Sequence, residues 1–171
     1  MSVKENLLDI QEKIDLACKR SNRSTDSVSI IAVTKYVSVE TAQEAIAAGI
    51  QHIGENRVEG LIKKQEELDN NPTWHFIGSL QTRKVKNIID KVDYIHSLDR
   101  ISLAEEIQKR AKAKIKCFVQ VNVSGEESKH GLSPENLKSF INDLEKFTSI
   151  EVVGLMTMAP FTDNQDIIRT C

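Results

Sequence analysis

Cysteine is scarce in this 171-residue chain, and so is any long apolar run. Cys18, Cys117 and Cys171 are odd in number and far apart, and there is no C-x-x-C pair. That argues against a disulfide framework or a cysteine zinc site and makes a reducing cytoplasm the expected setting. Cys117 opens an apolar run and reads as a buried thiol. No stretch approaches the roughly 20 apolar residues of a membrane span. Lys4 and Glu5, ahead of an amphipathic stretch, do not read as a secretory signal. Charge of one sign is also lacking. Lysine and arginine number 23, aspartate and glutamate 25, and the net charge is −2. No basic excess is available to drive nucleic-acid binding.

What is present is the composition of a folded globular domain, 40% apolar and 28% charged. Residues 2–20 read as a helix, with Ser2 and Glu5 in capping-box spacing and Leu7, Ile10, Ile14 and Ala17 as its apolar stripe. After a polar loop, short β-prone runs alternate with helical ones. The strands are expected at 29–35, 52–56, 73–78, 94–98, 117–123 and 151–158. The helices are expected at 39–48, 57–68, 81–89, 100–113 and 134–146. Gly49 suits a left-handed cap, Asp99 an N-cap, and Ser133–Pro134 a helix start.

Strands separated by helices imply a parallel sheet. A dinucleotide fold would place a glycine-rich turn after the first strand. Here that strand ends Thr34-Lys35-Tyr36-Val37. The sequence therefore predicts a (β/α)₈ TIM barrel, class α/β. The units repeat about every 24 residues, and eight of them plus the first helix need roughly 220. The expectation is one barrel domain over 1–171, six βα units from about residue 29, incomplete at its C-terminal side. Its first and sixth strands should be unpaired.

Barrel sites lie at the C-terminal ends of the strands. Lys35 stands at such an end, with Ile31 and Val33 on its face. At the mouth of an apolar cavity an ammonium loses hydration, and a neutral amine can attack an aldehyde to form a Schiff base. Snorkelling to water is the alternative. Gln120 and Asn122 share a face of the fifth strand, as a hydrogen-bonding layer or as ligand contacts. His52, His75 and His96 lie on successive strands, but no H-x-H or H-E-x-x-H spacing accompanies them. Arg83, Lys84 and Lys129 would make the same end positive, as would helix N-termini there.

In order and spacing, several motifs occur together. They are Ile31-Ala32-Val33-Thr34-Lys35, Gly54-Glu55-Asn56-Arg57-Val58, and Trp74-His75-Phe76-Ile77-Gly78-x-Leu80-Gln81-x-x-Lys84. Gln120-Val121-Asn122, Ser128-Lys129-x-Gly131 and Gly154-Leu155-Met156 follow. Together they closely resemble the pyridoxal phosphate homeostasis protein family, single-domain relatives of the alanine racemase N-terminal barrel. The resemblance implies a barrel that carries pyridoxal 5′-phosphate on Lys35 as a Schiff base. It implies Asn56, Met156 and Asn122 as further cofactor-pocket residues. It also implies a cytosolic role in balancing the cofactor and amino acids, without known turnover, with pyridoxal-phosphate-dependent apoenzymes as partners and no metal, nucleic acid or membrane. Family members continue into a Ser-Met-Gly-Met-Ser-like run and an Arg-Ile-Gly-Thr-like run that supply the phosphate cup and an arginine partner for the pyridine nitrogen, and neither occurs here. An amino-acid racemase is the competing reading. It needs an acid/base group on each face of the substrate carbon, and Lys35 could serve one. A metal-dependent barrel hydrolase is a third.

Overall fold

A computed structural model describes residues 2–68, 72–126 and 130–171. Helices and strands alternate along the chain: α1 Val3–Arg20, β1 Ile31–Val33, α2 Val39–Ala47, β2 His52–Glu55, α3 Val58–Glu67, β3 Thr73–Phe76, α4 Val85–Ile88, β4 Tyr94–Leu98, α5 Ile101–Arg110, β5 Ile115–Gln120, α6 Leu137–Leu144, β6 Ile150–Met156 and α7 Gln165–Thr170. The strands form one sheet in the order β1-β2-β3-β4-β5-β6, and the ladders β1–β2, β4–β5 and β5–β6 are parallel. Sequential order with crossover helices is the α/β arrangement predicted from the sequence. β1 and β6 are the terminal strands, so the sheet is not closed. The chain forms two compact units, Met1–His75 and Phe76–Cys171.

In the first unit, α1 opens with the expected capping box. Ser2 N–H donates to Glu5 Oε2 at 2.7 Å and Glu5 N–H to Ser2 Oγ at 3.2 Å. The helix buries Leu7 and Cys18, while Ile10, expected on the stripe, is 43% exposed. At about 100° per residue, Leu7 and Cys18 differ by only about 20°, whereas Ile10 lies about 60° away. Gly49 follows the α2 cap at φ +107°, as its position suggested. Ala42, Ala45, Ile53, Val58, Leu61 and Trp74 make this unit's core.

The core of the second unit holds Phe76, Leu80, Val85, Ile95, Leu98, Leu103, Ile107, Cys117 and Val119. Fully burying each large aliphatic or aromatic side chain stabilises by about 1.5–3 kcal/mol. Gly154 lies opposite Phe118 in the β5–β6 ladder, and a Cβ there would stand 3.2 Å from the Phe118 ring. Two helix starts differ from expectation. Arg100, not Asp99, is the N-cap of α5, and the Asp99 carboxylate accepts from Arg100 instead at 2.6 Å. Pro134 begins a 3-10 turn, Pro134–Asn136, that leads into α6. Asn164 caps α7 through its side chain, accepting from Asp166 and Ile167.

The segment after β5 is closed by its own backbone. Asn122 N–H donates to Leu132 O at 2.8 Å, Leu132 N–H to Gln120 O at 2.9 Å, and Gln120 Nε2 to His130 O at 3.0 Å. Gly131 makes that closure possible. Its φ is +125°, and a Cβ would lie 2.8 Å from Asn122 N and 3.0 Å from Val121 C. Ser128 and Lys129, part of the sequence motif, lie outside the described residues.

Two outcomes are expected. Gly131→Ala should destabilise the protein by about 1–3 kcal/mol in denaturant titration, from the left-handed backbone and the contact with backbone atoms. Burial pushes the Cys117 thiol up to about 12 from an ordinary value of 9.0. The unfolded thiol then ionises first. The stability from the buried neutral thiol is complete below the unfolded value and declines as pH rises through the folded one. Native alkylation at pH 8 should leave Cys117 unmodified, and Cys117→Ala should flatten the alkaline loss of stability.

Candidate functional site

β1 separates two environments by alternation. Thr34, just past its last residue, is 3% exposed, whereas Val33 is 49% exposed and Lys35 is exposed. Lys35 occupies the first central position of a turn that Val37 N–H closes onto Thr34 O at 3.2 Å. Its ammonium stands 5.2 Å from the Tyr36 ring centre. The desolvation expected of Lys35 is therefore not supplied. β1 is an edge strand and Val33, on the lysine's face, is itself open to water.

The register brings Lys35 level with Asn56. Val33 pairs with Gly54, Thr34 N–H donates to Gly54 O at 2.9 Å, and Lys35 and Asn56 each follow two residues after that last pair. Asn56 Oδ1 is buried with no hydrogen-bond partner among the described residues. Such an atom is costly to leave unpaired and marks a place where a donor is wanted. Lys35 and Asn56 thus follow the ends of adjacent strands, and the Asn56 amide oxygen lacks a donor among the described residues.

Behind this pair lies a cluster that sequence reasoning missed. Glu55, 1% exposed, receives hydrogen bonds on Oε1 from Lys64 Nζ at 2.7 Å and Thr34 Oγ1 at 2.8 Å. Lys64 Nζ also donates to Thr34 O at 2.9 Å. Lys64 comes from α3, where it continues the buried row Val58, Leu61, Lys64 at spacing three. A lysine in line with an apolar stripe, opposite a strand-end glutamate, was the available signal. Gly60 on the same helix leaves room for the carboxylate, since a Cβ there would stand 3.2 Å from Glu55 Oε2.

The other two expected site residues lie in the second unit. Met156 ends β6, pairs in register with Gln120, and its carbonyl accepts from Val121 N–H at 2.9 Å. Asn122 serves its own loop. Its Nδ2 donates to Glu126 O at 2.9 Å and its Oδ1 accepts from Ser124 Oγ at 3.2 Å. Arg83 and Lys84 lie in the 3-10 turn Thr82–Lys84, with Arg83 Nε donating to Gln81 Oε1.

The histidines do other work. His52 Nδ1 and His75 Nε2 are 2.9 Å apart at the start of β2, the end away from Asn56. His96 packs on Phe118 with ring centres 4.5 Å apart, and burial pulls its pKa below the ordinary imidazole value. Among the described residues no three His, Cys, Asp or Glu side chains converge as a metal site, and no helix is long and apolar enough to cross a membrane.

Residues 6–170 match the family described as alanine racemase, N-terminal domain. The pyridoxal phosphate homeostasis protein of Aquifex aeolicus is 43% identical over 173 residues, covering 99% of this chain and 76% of the relative. A crystal structure of a protein of unknown function from Bifidobacterium adolescentis superposes with a TM-score of 0.91 at 30% identity. That match covers 98% of this chain and 73% of the other. PipY of Synechococcus elongatus, solved with PLP bound, is 35% identical with a TM-score of 0.73, over 86% of this chain and 70% of PipY. The strand order and these matches together place the chain in the pyridoxal phosphate homeostasis protein family, within the alanine racemase N-terminal barrel fold.

Proposed function

We propose that this protein binds pyridoxal 5′-phosphate through Lys35 and acts as a reversible holder of the cofactor rather than as an enzyme that turns over a substrate. The reading is carried by Lys35 and Asn56 standing just past the adjacent ends of β1 and β2, with the buried Asn56 amide oxygen lacking a donor among the described residues. The cofactor offers an aldehyde to the first and a polar ring edge to the second. The residues present fit it on those grounds, and a homologue that binds PLP supports the choice.

The chemistry asked of Lys35 is modest. Its nitrogen adds to the aldehyde carbon, a C=N bond forms, and water leaves as a Schiff base is made. The reverse step frees the cofactor. Arginine could not replace Lys35, since its guanidinium does not deprotonate to a nucleophile in proteins. Asn56 would orient the ring. Racemisation would ask for a second acid/base group on the opposite face, whereas holding asks only for one amine. A holder of this kind would act in the cytoplasm, buffering a reactive aldehyde, supplying apoenzymes that need it and influencing amino-acid balance.

Loading the protein with pyridoxal phosphate should produce the yellow absorption of an imine, and Lys35→Ala should abolish it while the circular dichroism stays unchanged. An unaltered spectrum in Lys35→Ala would remove Lys35 from the role.

A further inference from the structure

We propose that Thr34, Glu55 and Lys64 form a buried positioning device that sets the two strand ends from which Lys35 and Asn56 project. The inference rests on the reading of Lys35 as the cofactor lysine, but its geometry is independent of any ligand. Thr34 immediately precedes Lys35, and Glu55 immediately precedes Asn56. Lys35 and Asn56 are therefore each one peptide bond from a member of the cluster.

Thr34 is held at three points. Its N–H donates to Gly54 O at 2.9 Å, its hydroxyl to Glu55 Oε1 at 2.8 Å, and its carbonyl accepts from Lys64 Nζ at 2.9 Å. That same carbonyl accepts from Val37 N–H at 3.2 Å and so closes the turn that carries Lys35. The Lys64 ammonium thus anchors the first residue of the turn. Glu55 Oε1 receives both Thr34 and Lys64, tying the end of β1 to the end of β2 and both to α3. With side-chain exposures of 7% and 1%, Lys64 and Glu55 lie away from water.

A buried ion pair is a poor source of net stability compared with apolar packing, because desolvation offsets the attraction. Its distinctive property is directional. Bonds to charged groups are strong and fix geometry, and reacting groups must be held to a fraction of an ångström for productive contact. This cluster supplies that constraint at a place where β1, three residues long and at a sheet edge, has little of its own.

The test compares Thr34→Val, which keeps the shape but removes the hydroxyl, with Thr34→Ser, which restores it. A second variant combines Lys64→Met with Glu55→Gln, so that no unpaired charge is left buried. Two readouts are taken: amide hydrogen exchange of the unliganded protein, and titration with pyridoxal phosphate. Thr34→Val should speed exchange at residues 34–37 and 55–57 and weaken cofactor binding about fivefold, the ratio that one ordinary net hydrogen bond is worth. β5 should be unchanged, and Thr34→Ser should match the parent in both readouts. The paired variant should show the same pattern, and if it fails to fold, the two Thr34 variants decide alone. Unchanged exchange at 34–37 and parental binding in Thr34→Val would overturn the proposal. So would uniformly faster exchange throughout the first unit, which would show a merely structural cluster. If the parent does not bind pyridoxal phosphate but the local exchange pattern appears, the cofactor reading falls and the positioning of the strand ends stands.

Discussion

Glu55 and Lys64 are both removed from water, and a charge buried alone costs several kcal/mol, on the order of 3–5 when its partner is deleted. Each is tolerable only because the other is 2.7 Å away and because Thr34 takes up further bonding capacity of both. That mutual requirement dictates local structure. α3 must present Lys64 inward at the spacing of Val58 and Leu61, and β1 and β2 must pair in the register that brings Thr34 beside Glu55. Gly60 must have no side chain that crowds the carboxylate. Thr34 and Glu55 face the helix, and Lys35 and Asn56 follow them directly in the chain.

Much of the fold was legible in the sequence because it depends on local patterns. Tyr94–Leu98 matches its expected strand at both ends, since Asp93 and Asp99 flank an uninterrupted β-prone run. β1 is shorter than the expected 29–35, because only Ile31–Val33 meets β2 in a ladder and Thr34 already begins a turn. β5 starts two residues earlier than Cys117, since Ile115 and Lys116 find partners in Ile150 and Glu151 that no local rule foretells.

The candidate site was legible only in part. Lys35 stood out because a charged residue ended an apolar run, and Asn56 followed from the family motif. Lys64 did not, because a lysine on a charged helix reads as solvated until its partner strand is known. The exposure of Lys35 was also hidden, since it depends on what β1 pairs with rather than on its sequence. Asn122 shows the reverse. Its place beside Gln120 was plain, but its engagement with Ser124 and Glu126 is a property of the folded loop.

The claim on which the functional account stands is that one lysine among many carries the cofactor. Borohydride reduction of the pyridoxal-phosphate-loaded protein, followed by peptide mass spectrometry, tests it most directly. Reduction fixes the bond wherever it has formed. One pyridoxyl adduct is expected, on the peptide containing Lys35, at a cofactor ratio near one per chain. An adduct confined to another lysine, or spread evenly over the surface lysines with none favoured, would contradict it.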